Sequence, residues 1–476
     1  MALLKPVTKS NNELPNEEKI RIFNRMERAN ETMYITGRAG SGKSFLLEYF
    51  VKNTHKNVVK VAPTGISALN VGGQTMHSFF GLDINVQNLE EIKRKGVWGK
   101  RQEILKSIDV LIIDEVSMVR VDVMSAIDLK LQLANNNTLP FGGKQVLMFG
   151  DLYQLPPVVE PQVDRYLTDK YGGVFFFNAP VFDRAPLPVY ELKRVFRQKD
   201  PGFISILNDM REGRITDNEL DVLNHCSGTA PRDDHNRAIV LSPRNETVSR
   251  INQERLNQIG RPEYTYQASI TGDFSKFGTP TEVELHLKVG AQVMMLKNDT
   301  EGDEATYGTN RGRRWVNGTI GVVSELSQDM VKVMINKVEY RIDRATWEKK
   351  VYEYNANTKK LVARTVATFT QFPLRLAWAL TIHKAQGQTY KSVEVNLEGG
   401  AFSSGQTYVA VSRCVSLDSL YLTRPISRED IIVNQDVAGF MNRHQSTLDI
   451  PETVVDDYKE QRRAELLRQL AELDEQ

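Results

Sequence analysis

The chain has 476 residues, 41% of them hydrophobic and 25% charged, too many for one core and enough for roughly two to four domains. Its 61 basic and 60 acidic side chains leave a net charge of +1, which excludes a basic coat over the whole molecule and confines any polyanion to a local groove. No apolar run approaches the roughly 20 residues that span a bilayer, the first residues match neither a secretory signal nor an Arg-rich transit peptide, and Cys226 and Cys414 are too few for a four-ligand zinc site; a cytoplasmic, bacterial-type location with reduced thiols and no membrane is expected.

Residues 14–28 carry helical spacing of Ile20, Ile22, Phe23 and Met26. Met33, Tyr34 and Ile35 then form a β-prone run before Gly37-Arg38-Ala39-Gly40-Ser41-Gly42-Lys43-Ser44, and Phe45, Leu46, Leu47, Tyr49 and Phe50 supply a helical apolar face after it. Strand, loop and helix in that order are the context of a phosphate-binding loop. From Gly37 through Ala39, Gly40, Ser41 and Gly42 the backbone N–H groups turn inward around phosphate oxygens. Lys43 reaches the terminal phosphates and the Ser44 hydroxyl ligates Mg²⁺. The stretch predicts a nucleoside triphosphate site.

Val58–Ala62 reads as a second strand, with Thr64 capping a helix that begins near Ile66. Residues 74–80, QTMHSFF, set a histidine beside two phenylalanines; on their own they read as core aromatics at an element junction. Residues 81–107 break the apolar rhythm with EEIKRKGVWGKRQE and an isolated Trp98, either a solvated helix or a small inserted subdomain. Ile108–Ile113, interrupted only at Asp109, is a buried-type strand that delivers Asp114-Glu115, where the first acid suits Mg²⁺ and the second accepts a proton from attacking water. Gln145–Phe149 is another such strand, and Gln154 just past it is placed to orient water or sense a terminal phosphate. Four strands, each followed by a polar loop, predict an open parallel sheet with its ligand at the carboxyl edge.

From Pro186 a second α/β unit is expected. Tyr190-Glu191-Leu192 leads into Lys193-Arg194-Val195-Phe196-Arg197-Gln198, followed by a helix through Phe203, Ile206, Leu207 and Met210 and a strand at Ala238–Leu241, with no phosphate loop of its own. Between 262 and 370, alternation at Val283, Leu285 and Leu287, a turn at Asn317-Gly318, and VKVMI and VEYRI around Asn336-Lys337 predict a small inserted β-barrel. Arg311, Arg313 and Arg314 beside Trp315 read either as a nucleic-acid contact or as a basic loop over a core tryptophan. Leu374–Ile382 reads as apolar and helical, before His383-Lys384-Ala385-Gln386-Gly387-Gln388-Thr389, a strand at Val393–Leu397, and a helix leading to Arg413. After Pro451 the tail is charged, with Leu466, Leu467, Leu470 and Leu473 on one helical stripe.

Together these stretches resemble the Pif-type DNA helicases, superfamily 1 motors of 5′-to-3′ polarity related to the RecD helicases. The resemblance covers about residues 30 to 440. It rests on GRAGSGKS, VAPTGISALN, TMHSFFG, LIIDEVSM, FGDLYQLPPV, FRQ, the pair LKVGAQVMML and RWVNGTIGVV, QFPLRLAWALTIHKAQGQT and GQTYVAVSRC. It implies an α/β fold of two RecA-like parallel-sheet domains: 1–80 with 108–185, interrupted by a wedge subdomain at 81–107, and 186–261 with 371–446, interrupted by an SH3-like β-barrel at 262–370. A charged helical tail would occupy 447–476.

The resemblance further implies ATP and Mg²⁺ as cofactors, single-stranded DNA and forked duplex DNA as partners, and a monomer in the free state. Carried over residue by residue, Gly40, Gly42, Lys43 and Ser44 cradle phosphates, Asp114 and Glu115 manage Mg²⁺ and the attacking water, and Gln154 senses the γ-phosphate. Arg197 and Arg413 are the arginine fingers from the second domain, and Gly387 lies beside the nucleotide. Pro63, Thr64, His77, Phe79, His383 and Lys384 line the single-strand track, with His77–Phe80 taken as a strand. One departure stands out, since the family's adenine-reading glutamine before the phosphate loop is replaced here by Asn16-Glu17-Glu18-Lys19, which leaves a broad nucleotide preference open. A nucleotide-gated single-strand binding module and an RNA-directed motor remain alternative readings.

Overall fold

The computed structural model describes residues 16–444, apart from 84, 229–237, 273, 275–278, 298, 300–313, 316 and 356–359. Its first sheet is built from β1 (Met33–Gly37), β2 (Val58–Ala62), β3 (Gln74–Thr75), β4 (Val110–Ile113), β5 (Gln145–Phe149) and β6 (Val189–Leu192). All pairings are parallel, in the order β3-β2-β4-β5-β1-β6. Every residue of β1, β4 and β5 is buried, which is why these strands read as unbroken apolar runs: helices cover both faces. Met33 and Ile35 face one core with Leu46 and Phe50, whereas Tyr34 faces the other with Ile127 and Phe176.

Strand β6 departs from expectation. It pairs with β1 from Tyr34–Val189 to Gly37–Leu192, so the first sheet runs to Leu192 rather than ending before Pro186. A four-residue strand carries no local mark of which sheet it will join. The QTMHSFF stretch also differs, since Met76–Phe80 is a helix and not a strand: the Thr75 side chain accepts the Ser78 N–H and Gly81 ends the turn in the left-handed region. Thr64 caps the helix Gly65–Val71 as its position predicts, accepting from Ser67 N–H. The 81–107 insertion forms helices Leu89–Lys95 and Gly99–Ser107. Val97 and Leu105 anchor it on the first unit's core, and Trp98 beside them is 75% exposed.

The chain next lays down β7 (Ile239–Ser242) and then an all-antiparallel region: β8 (Glu263–Gln267), β9 (Ser269–Thr271), β10 (Glu284–Lys288), β11 (Gln292–Met295), β12 (Ile320–Leu326), β13 (Val331–Ile335), β14 (Val338–Ile342), β15 (Ala345–Asn355), β16 (Lys360–Gln371) and β17 (Leu374–Leu376). A five-stranded sheet, β14-β13-β12-β11-β17, shares its core with the β8-β10 pair through Tyr266, Leu285, Val293, Val333 and Leu374, and β15-β16-β9 form a further sheet. Asn336 and Lys337 take φ of 49° and 69°, the double left-handed turn that a two-residue hairpin requires. Arg314 pairs with Asp299 at 2.7 Å and lies 4.6 Å over the ring of core residue Trp315. Arg311 and Arg313 lie outside the described residues.

The second parallel sheet closes with β18 (Ala379–Thr381), β19 (Val393–Val395) and β20 (Leu420–Leu422), in the order β18-β7-β19-β20. The helix expected over Leu374–Ile382 is therefore two short strands. Leu374 and Leu376 pair with Met295 and Val293, and Ala379–Thr381 pair with Val240–Ser242, so distant partners override the helical preference of a Leu/Ala-rich segment. The helix Gln435–His444 then returns to the first unit, where Val437, Phe440 and Met441 join its core and Phe440 stacks on Phe177 at 4.3 Å. The tail from 445, with its leucine stripe, lies outside the described residues. Cys226 and Cys414 are free thiols, and no described helix is long and apolar enough to cross a membrane.

Candidate nucleotide site and strand track

The loop after β1 is gripped from above by the segment that leaves β6. Phe196 N–H donates to the Gly40 carbonyl at 2.9 Å, and a Cβ on Gly40, whose φ is 79°, would lie 2.4 Å from the Arg197 Cβ. Only glycine fits there. The Lys43 ammonium, at the start of the helix Lys43–Asn53, donates to the carbonyls of Gly37 at 2.5 Å and Arg38 at 3.3 Å. Desolvation pulls its pKa down, opposed by the nearby carboxylates of Asp151 and Glu115.

Across the sheet, β4 ends in Asp114 and Glu115. Desolvation raises both carboxyls, and the charge of Asp114 helps push Glu115 to about 7. Glu115 also adopts φ 51°, an uncommon conformation for a residue with a side chain, of the kind concentrated at functional sites. Its Oε2 accepts from Gln386 Nε2 at 2.9 Å, and the same amide lies 3.4 Å from Gln154 Oε1. Gln386 follows β18 in the second unit, so one side chain ties both polar groups of the first unit to the second. Gln386 stands beside Gly387 in the HKAQGQT stretch, and its reach across the cleft has no local signal in the sequence.

Two guanidiniums complete the cleft. Arg413, 1% exposed, is forked onto Val409 carbonyl (2.9 Å), Gln388 carbonyl (3.3 Å) and Ser412 hydroxyl (2.9 Å). Arg197 donates to the carbonyls of Ser412 at 3.2 Å and Gly387 at 3.5 Å. Arg197 was expected to be delivered by the second domain; it instead hangs from the crossover after β6 of the first sheet, and only its hydrogen bonds belong to the second. Burial, then the charge of Arg413, pushes Arg197 down to about 9, and burial lowers Arg413 too. A pair of cations held by neutral carbonyls next to a phosphate-binding loop is arranged to receive an anion.

Pro63, Thr64 and His77 line one cleft of about 370 Å³ with Met118, Arg120 and Val158. Burial and the charge of Arg120 lower the His77 pKa. Phe79 does not share that cleft: it is 7% exposed and packs edge-on against Phe80 at 4.9 Å in the core, so it supports its helix and offers no open face to a base. His383 and Lys384 follow β18 in the second unit, His383 half-buried and Lys384 exposed.

Comparison with known proteins bears directly on this arrangement. A sequence model of the PIF1-like helicase family matches residues 16–221. The ATP-dependent DNA helicase Pif1 of Bdellovibrio bacteriovorus is 32% identical over 425 residues, covering 88% of this chain and 90% of that protein. The chain belongs to the PIF1-like helicase family. Among solved structures, Pif1 from Bacteroides sp in complex with ADP-AlF4 is 35% identical with a TM-score of 0.82, covering 91% of this chain and 97% of that one. The same Bacteroides Pif1 bound to ssDNA, at equal identity and coverage, gives 0.64. The family and the two parallel-sheet units are as the sequence implied, and the present arrangement superposes better on the DNA-free Bacteroides structures, 0.80 for the unliganded one, than on the one bound to ssDNA.

Proposed function

We infer that this chain is an ATP-dependent DNA helicase that hydrolyses ATP between its two parallel sheets, moves 5′-to-3′ along single-stranded DNA and separates forked duplex. The observation that carries the reading is Gln386, whose amide joins Glu115 and Gln154 across the cleft: the catalytic set is complete only when both units meet. The loop from Gly37 through Ala39, Gly40, Ser41, Gly42, Lys43 and Ser44 holds the phosphates, Glu115 accepts the proton of the attacking water, Gln154 orients that water, and Arg197 and Arg413 meet the charge that develops on the transferred phosphoryl group. Gly387 supports Arg197 through its carbonyl. The exposed Ser44 hydroxyl with Asp114 and Glu115 is an all-oxygen donor set of the kind Mg²⁺ favours; bound there, Mg²⁺ would neutralise phosphate charge.

Closure of the cleft moves the His383-Lys384 loop relative to Pro63, Thr64 and His77, so two grips on a strand shift past one another once per cycle. Opening a base-pair step costs on average about 1.4 kcal/mol of stacking, a small load for such a cycle. In the segment Asn16–Lys19, Glu18 accepts the Lys193 N–H at 2.9 Å and the buried Lys19 ammonium sits 4.0 Å from the Phe196 ring; with no glutamine there to read adenine, a broad nucleotide preference is proposed. The protein acts in the cytoplasm and is a monomer when free. Polarity is tested with duplexes carrying a single 5′ or 3′ tail: the 5′-tailed duplex opens, and opening of the 3′-tailed one alone would sink the directional claim.

The inserted helices at 81–107 are the proposed wedge at the fork, with Trp98 as the exposed stacking group. Trp98→Ala is expected to slow strand separation severalfold, since base–aromatic stacking is worth about 1–3 kcal/mol, while leaving ssDNA-stimulated ATP hydrolysis within about twofold. Equal loss in both assays would show that Trp98 serves the motor and not the fork.

A further inference from the structure

A buried polar chain links the phosphate loop to the second unit through Tyr408, Asp151 and Arg211. Tyr408, on the helix Gln406–Val411, is 4% exposed. Its hydroxyl accepts the Ala39 N–H at 3.0 Å and donates to Asp151 Oδ2 at 3.5 Å. Asp151, just past β5, is held in turn by Arg211 of the helix Pro201–Glu212, with Nη2 at 2.9 Å and Nε at 3.1 Å from Oδ1. The Arg211 guanidinium covers the Tyr153 ring at 4.4 Å, and Gln154 Nε2 reaches Asp151 at 3.4 Å.

Helix Gln406–Val411 is set hard against the first unit. Gly405, its N-cap at φ 74°, has no room for a Cβ, which would lie 2.5 Å from the carbonyl oxygens of both Tyr153 and Gln154. Arg413 follows the other end of that short helix and is pinned back onto its Val409 carbonyl. Whatever fixes the helix against the loop therefore fixes Arg413. Phenylalanine would fill the same volume as Tyr408 without dehydrating a hydroxyl, a burial that is costly unless the hydroxyl is hydrogen-bonded. Here it is bonded on both sides, and both bonds cross between the units.

We propose that Tyr408 is a positioning residue: its hydroxyl, held between the Ala39 N–H and Asp151, registers docking of the second unit on the phosphate loop and thereby sets Arg413 for phosphoryl transfer. Opening of the cleft separates Tyr408 from Ala39 and releases the helix together with Arg413; closure re-forms the bond and places the guanidinium. The proposal rests on the ATPase reading above and adds to it a residue that touches no reacting atom.

The test is Tyr408→Phe in the full chain, assayed for steady-state ATP hydrolysis at saturating single-stranded DNA, for equilibrium binding of a fluorescent ADP, and for thermal unfolding. The expected result is a kcat lower by roughly five- to tenfold, the loss of one hydrogen bond used in the closed state, with KM for ATP and ADP affinity within about twofold and a Tm lower by only a few degrees. An unchanged kcat, or a kcat that falls only in step with ADP affinity and Tm, would overturn it, because a structural role moves all three together. A wild type that hydrolyses ATP while Tyr408→Phe matches it defeats this proposal alone; an inactive wild type defeats the ATPase reading and this inference with it.

Discussion

Lys43→Ala is expected to lower ssDNA-stimulated ATP hydrolysis by about 10²- to 10³-fold, the loss seen when one preorganised donor to developing charge is removed. The ammonium does not wait in bulk water. It is held by the Gly37 and Arg38 carbonyls at the foot of the helix Lys43–Asn53, where burial strips part of its hydration and the charges of Asp151 and Glu115 oppose that effect. Moving from those carbonyls to a phosphate costs little reorganisation, so most of its attraction is available to the transition state. Alanine removes a desolvated cation and leaves the surrounding core intact, so the unfolding temperature should shift by only a few degrees. Phosphate release at saturating ATP measures the effect, and a rate within tenfold of wild type would contradict the assignment.

Arg413→Ala should be the more damaging change, with kcat falling by about 10³- to 10⁵-fold, the range for a lost arginine finger. Affinity for nucleotide should change little, because the phosphate loop belongs to the first unit and Arg413 to the second. Lysine is not expected to rescue it. The guanidinium is oriented by three separate acceptors, at Nε, Nη1 and Nη2, and an ammonium on a flexible stem cannot satisfy that fork. Single-turnover hydrolysis beside equilibrium ADP binding separates the two effects. A kcat within tenfold of wild type would remove Arg413 from the chemistry, and parallel losses of binding and Tm would assign it to packing.

The features legible in the sequence are those whose cause is local. The phosphate loop needs its own glycines and its own flanking strand and helix; Thr64 needs only the Ser67 N–H three residues on; the turn at Asn336-Lys337 is fixed by two residues between two alternating runs. The acids after β4 were readable because an unbroken apolar strand must end before them. What escaped depends on partners far along the chain. Membership of β6 in the first sheet is decided by pairing with β1, and β18 by pairing with β7; the helix Gln435–His444 finds its place through Phe177 and Tyr34. Phe79, which on its residues alone reads as a core aromatic and only by resemblance as part of the strand track, lies in the core. The same dependence on distant partners hid Gln386, Asp151, Arg211 and Tyr408, whose meaning lies in distances across the cleft between the two units.

Those distances make the coupling mechanical: the site that hydrolyses ATP is assembled by the same closure that repositions the strand grips. DNA held by both grips should therefore accelerate hydrolysis by favouring the meeting of the two units across the phosphate loop. The direct measurement is the wild-type rate of ATP hydrolysis, with and without saturating single-stranded DNA, at fixed ATP and Mg²⁺. The prediction is a rate at least tenfold higher with DNA. Equal rates in the two conditions would contradict the coupling and leave a protein that binds nucleotide and strand independently.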